Sequence, residues 1–117
     1  MNFLESIFGK PVPSLTAAQL SEKLKNGKQP LILDVRQPEE YRSGHIAGAK
    51  VIPLGDLPRK MGSLPKNREI VCVCASGSRS SSATRALVDA GYNAQNMKGG
   101  MLTWHRAGLP VKKGDAA

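Results

Sequence analysis

The chain has 117 residues, 40% of them hydrophobic, which suits one domain with an ordinary core and no need of disulfide staples. Its 17 Lys and Arg against 9 Asp and Glu give a formal charge of +8. The basic residues are scattered and aromatics make up only 4%, which argues against a nucleic-acid surface and leaves a field that attracts small anions.

The elements follow in chain order. Residues 1–13 form an arm ending in "KPVPS", with Phe3, Leu4, Ile7 and Phe8 as its apolar residues. Glu5 and the lack of a small-residue cleavage site set its start apart from a signal peptide. "SLTAAQLSEKLKNG" reads as a helix, with Ala17, Leu20 and Leu24 on one face, Ser14 or Thr16 as cap and Gly27 as stop. "PLILDV" (30–35) is a short buried strand, and "QPEEYRSG" a short helix with Pro38 in its first turn and Gly44 at its end. "AKVIPL" is a further strand candidate, and "GDLPRKMGSLPKN" is loop or irregular helix. "EIVCV" (69–73) is the clearest strand. "RSSSATRALVDAG" is a helix with Ala83, Ala86, Leu87 and Ala90 on one face. "AQNMK" is a weak strand whose Gln95 and Asn96 suggest either a sheet edge or simply a short strand, and "GGMLTWHRAGLPV" is a last short helix with an apolar tail. Strands alternating with helices on short connections predict an α/β domain with a mainly parallel sheet. No apolar run approaches membrane-spanning length.

The stretch with most chemistry in it is "VCVCASGSRSSSATRALVDAG" (71–91). Cys74 stands at the carboxyl end of a strand, where open parallel sheets hold their ligands. The next residues, Ala75, Ser76, Gly77 and Ser78, are small, and a helix opens at Arg79 and Ser80. Backbone N–H groups of such a loop, backed by a helix N-terminus, gather an anion and favour a thiolate. Cys72 reads instead as a buried, inert thiol. The two cysteines stand one residue apart, too close on an extended segment for an unstrained disulfide. Free thiols point to a reducing compartment and hence to the cytoplasm.

Two thiol chemistries fit. Cysteine phosphatases place one more residue between cysteine and arginine than the four found here, Ala75 to Ser78. The tighter ring suits a smaller guest, a single sulfur on the thiolate.

Three blocks, in order and spacing, resemble the rhodanese family: "LILDVRQPEEYRSGHIAGAKVIPL" (31–54), "IVCVCASGSRSSSATRALVDAGY" (70–92) with its C-x-x-G-x-R loop, and "MKGGMLTWHRAGLPV" (97–111). The resemblance spans residues 14–111, leaving 112–117 as a tail, and implies an α/β fold with a five-stranded, mainly parallel sheet and helices on both faces. It implies sulfurtransfer: Cys74 takes sulfur from thiosulfate or a persulfide donor, holds it as a persulfide, and yields it to cyanide, a thiol or a protein acceptor. The backbone from Ala75 through Ser80 would stabilise the persulfide, with hydroxyls of Ser76 and Ser78 in support. Arg79 has two open roles, binding the donor's sulfonate or anchoring the loop. Asp34 and Arg36 read as an ion pair bordering the site, with Arg36 also able to steer an anion. Glu39 and Glu40 read as exposed helix residues, His45 as structural, and Trp104 as packing. With two histidines and no Cys-x-x-Cys, neither a metal nor a cofactor beyond the covalent persulfide is expected. The loop lacks the basic residue that many relatives carry between cysteine and arginine, which weakens the case for thiosulfate and strengthens that for a persulfide donor. The rivals are a non-catalytic binding or sulfur-carrier module and a phosphatase or arsenate reductase on the same fold.

Overall fold

The computed structural model describes residues 11–117, so the expected arm over 1–13 lies outside the described residues except at its end. Five strands form one sheet: β1 (Ser14–Leu15), β2 (Leu31–Asp34), β3 (Lys50–Val51), β4 (Ile70–Val73) and β5 (Ala94–Met97). Their order is β1-β5-β4-β2-β3 and every pairing is parallel. The crossovers carry helices α1 (Ala17–Leu24), α2 (Pro38–Ser43), α3 (Leu57–Lys60) and α4 (Ser78–Asp89), and α5 (Gly100–Arg106) follows the last strand.

Parallel strands are covered on both faces, which is why their sequences run apolar without alternation. On one face Ile32, Val71, Val73 and Met97 pack with Leu20 of α1, Tyr41 of α2 and Trp104 of α5. On the other, Leu33, Val35, Ile70 and both cysteines pack with Leu57 of α3 and Ala83 and Leu87 of α4. This is the α/β architecture with helices on both faces that the sequence predicts. Among the described residues, no helix is long and apolar enough to cross a membrane.

Three local expectations differ. Ser14 and Leu15 form a strand rather than a helix start; they pair with Asn96 and Met97, and the helix begins after Thr16. Thr16 and Gln19 make a reciprocal capping box that fixes that boundary. Of the two readings of the polar strand β5, the short strand holds and the edge does not: its 4 residues lie between β1 and β4, with Asn96 meeting the buried Ser80 hydroxyl. The buried face of α4 is Ser80, Ala83, Thr84 and Leu87, whereas Ala86 is exposed. Those positions keep the i, i+3, i+4, i+7 spacing of one helix face, with two hydroxyl residues in places an apolar count passes over. The Thr84 hydroxyl satisfies itself by donating to the Ser80 carbonyl at 2.8 Å.

Residues read as a tail are docked. Lys112 exchanges two backbone hydrogen bonds with His45, and Gly114 N–H donates to the Arg42 carbonyl.

Candidate active site

Strand β4 ends at Val73, and Cys74 begins the turn into α4. The turn is held from outside. The N-terminus of α5 caps its back, with Met101 N–H donating to the Cys74 carbonyl at 2.8 Å and Leu102 N–H to the Ala75 carbonyl at 3.1 Å. Gly100 permits that approach: a Cβ there would stand 2.6 Å from the Ala75 carbonyl carbon, and its φ is +59°. Gly77 makes the turn itself, at φ +102°, in the left-handed region that favours glycine.

This wrapping points donors at the sulfur. Gly77 N–H donates to Cys74 Sγ at 3.0 Å, and the Ser80 hydroxyl lies 3.3 Å from it. Burial pushes the Cys74 thiol up, but hydrogen bonds from the Ser80 hydroxyl and from the backbone of Ser80, Gly77 and Ser76 outweigh it and hold the thiol below its ordinary value. Cys72, two residues earlier on β4, has no such set of donors, and burial pushes it up to about 11. Both cysteines are free. Ser76 and Ser78 are exposed on the outer side of the loop, and Ala75 is half-buried.

Arg79 is paired with a carboxylate rather than hydrogen-bonded to the sulfur. Its guanidinium makes a two-pronged pair with Glu40 of α2, at 2.8 and 2.9 Å. The Arg79 hydrogen bonds, against a smaller opposing effect of burial, hold the Glu40 carboxyl down at about 2. Glu40 also accepts from Gln37 N–H at 3.0 Å, which starts α2. Glu40, read from sequence as an exposed helix residue, therefore ties α2 to the first turn of α4.

Asp34 and Arg36 meet each other rather than the thiol loop. The Arg36 guanidinium holds both Asp34 oxygens, with a shortest contact of 2.7 Å, and donates to the Gly44 carbonyl at 2.8 Å. Both are buried. His45 stacks on Tyr41 at 3.7 Å, and its ring nitrogens face the carbonyls of Tyr41 and Ala116. Trp104 donates to the Pro110 carbonyl at 2.9 Å. Among the described residues no cluster of three or more His, Cys, Asp or Glu could hold a metal.

One buried polar residue at the site has no counterpart among the sequence candidates. Asn96 of β5 lies 2.6 Å from the Ser80 hydroxyl and donates to the Gly77 carbonyl at 3.4 Å. Its signal in the sequence is an amide inside a strand, which has to find partners when buried.

Fold and loop together define a class: parallel α/β domains with a thiol at the carboxyl end of a central strand. The family model described as "Rhodanese-like domain" matches residues 16–107, and the chain belongs to that family. It is 36% identical to a sulfurtransferase of Allochromatium vinosum over 101 residues, 86% of this chain and 94% of that protein. A rhodanese-related protein from Thermoplasma volcanium superposes with a TM-score of 0.81 at 35% identity, covering 86% of this chain and 97% of that one. A rhodanese-like domain protein from Staphylococcus aureus gives a TM-score of 0.80 at 36% identity, covering 88% and 99%.

Proposed function

We propose that this chain is a single-domain sulfurtransferase that carries sulfane sulfur as a persulfide on Cys74. The observation that carries the reading is the convergence of the Gly77 N–H, at 3.0 Å, and the Ser80 hydroxyl, at 3.3 Å, on one sulfur with a depressed pKa. A thiolate is the nucleophilic form of cysteine, and fixed donors stabilise charge without reorganising during the reaction. The Cys74 thiolate attacks the terminal sulfur of thiosulfate or of a persulfide donor. A new S–S bond forms, the donor's S–S bond breaks, and sulfite or a thiolate leaves with the electron pair. Cyanide, a thiol or a protein acceptor then attacks the outer sulfur and returns Cys74 to the thiolate. Cys74 has no exposed surface, so loading needs a movement of the loop rim. No resident metal or cofactor has a part in this cycle.

The basic charge of +8 favours anionic donors. The pairing of Arg79 with Glu40 supports the anchoring role for that arginine. It also argues against a phosphatase, whose arginine must be free to clamp a phosphoryl group. Free thiols fit a reducing compartment such as the cytoplasm.

The test is intact-protein mass spectrometry after thiosulfate or an organic persulfide, then after cyanide. The expected result is a gain of one sulfur, mapped to Cys74 and removed by cyanide. Oxidation to sulfinic acid adds nearly the same mass but is not reversed by cyanide. Cys74→Ser abolishes the gain and Cys72→Ser keeps most of it. Absence of loading from both donors would favour the binding module, and equal loss in both folded variants would overturn the assignment to Cys74.

A further inference from the structure

Ser80 has one hydroxyl proton and two acceptors within reach. Its Oγ is 2.6 Å from Asn96 Oδ1 and 3.3 Å from Cys74 Sγ. The far end of the Asn96 amide settles its orientation: Nδ2 faces the Gly77 carbonyl at 3.4 Å, so the oxygen is what Ser80 meets. Ser80 is 0% exposed and Asn96 7%, so both groups depend on protein partners. The proton cannot serve both acceptors at once.

We propose, resting on the reading of Cys74 as the sulfur carrier, that Asn96 is a positioning residue: it accepts the Ser80 hydroxyl proton whenever Cys74 Sγ is uncharged and releases it to sulfur when Sγ is anionic. In the resting thiol the chain runs from S–H to Ser80 Oγ, and from Ser80 O–H to Asn96 Oδ1. In the thiolate the Ser80 O–H rotates onto Sγ. Once a sulfane sulfur is attached, the charge moves to the outer sulfur and the inner Sγ becomes a poor acceptor. The Ser80 proton then turns back to Asn96. Only hydrogen bonds change, and the proton stays on Ser80 throughout.

The arrangement keeps a buried donor paired in every state of the cycle, because an orphaned buried donor would cost its full desolvation. The carbonyl left over in the thiolate state is the group better tolerated unpaired. The ionisable side chains that feel the charge of Cys74 are Cys72 of β4 and Arg79 of α4, the latter already paired with Glu40 of α2. Ser80 and Asn96 add no charge of their own, so their influence is through the one proton.

The experiment is a thiolate titration by ultraviolet absorbance, with the Cys74→Ser trace subtracted. Asn96→Leu removes the competing acceptor and raises the thiolate-to-thiol ratio at fixed pH by about threefold or more, and Ser80→Ala lowers it by a similar factor. In the Ser80→Ala background the Asn96→Leu change has no effect. A shift from Asn96→Leu that persists without Ser80, or a folded Asn96→Leu protein with no shift, overturns the proposal. The wild-type protein supplies a second readout by carbon-13 NMR. The Asn96 Cγ signal titrates with the Cys74 midpoint and is flat in Cys74→Ser; a flat signal in the wild type overturns the proposal even if Asn96→Leu fails to fold. Neither readout uses a sulfur donor, so an inability to transfer sulfur is told apart from a failure of the relay.

Discussion

The neighbouring strands β2 and β4 both end in polar groups, and the two ends are built in opposite ways. At the end of β2 the groups consume one another: Arg36 takes both oxygens of Asp34 and the Gly44 carbonyl. At the end of β4 the donors converge on Cys74 Sγ, an atom that answers with its own charge. Closed pairing fixes geometry, whereas convergence on one titratable atom favours its anionic form. Cys72 and Cys74 make the same point at the end of β4. Burial, against one hydrogen bond from Thr84, drives Cys72 up to about 11, whereas at Cys74 burial is outweighed by the donors on its sulfur.

The sharpest way to break this comparison is at the β2 end. Arg36→Met leaves the Asp34 carboxylate buried without its partner, and we expect it to lower stability by about 3–5 kcal/mol, measured by urea denaturation. Replacing both, Asp34→Leu with Arg36→Met, recovers much of that loss, since a buried pair exchanged for apolar groups is often near neutral. A double variant as unstable as the single one would show that the pair does more than neutralise itself.

A smaller effect is expected at the β4 end, and of a different kind. Gly100→Ala drives a methyl group into the Ala75 carbonyl and holds a non-glycine residue at φ +59°. Stability falls by about 1–3 kcal/mol through overpacking. The displaced turn also loosens the donors on Cys74, so the thiol titration moves to higher pH. If stability falls while the titration stays put, the cap from α5 supports the fold and leaves the sulfur alone.

The contrast explains what the sequence made legible. Strong local signals sufficed for most elements: the apolar runs of β2 and β4, Pro38 and Gly44 around α2, and the small-residue turn after Cys74. Strand β1 has two residues, too few for any pattern, and owes its existence to β5, far along the chain. Glu40 and Arg79 lie 39 residues apart and Ser80 and Asn96 16 apart, so nothing local announces either partnership. Asn96 also misled the placement of β5, because an amide in a strand suggests solvent until its buried partners are known. The two roles left open for Arg79 could be weighed only once its guanidinium had a position.

That guanidinium links the two regions compared above, since Glu40 follows β2 and Arg79 follows β4. Its pair is the site of the smallest effect. The Glu40 carboxyl falls from 4.5 to about 2 on folding, so its contribution is fully present above pH 4.5 and is lost as pH drops towards 2. The two side chains are 34% and 36% exposed, and solvent screening limits the contribution to about 1 kcal/mol. Glu40→Gln therefore lowers stability by about that amount at neutral pH, and the gap to wild type closes during acid titration below pH 4.5. Thiosulfate loading separates the roles of the freed arginine. If Arg79 anchors the loop, Glu40→Gln slows loading, because the first turn of α4 loses its tether to α2. If loading speeds up with thiosulfate and not with an uncharged persulfide donor, the released guanidinium is binding the sulfonate, and the end of β4 reaches further towards its donor than the resting pair with Glu40 shows.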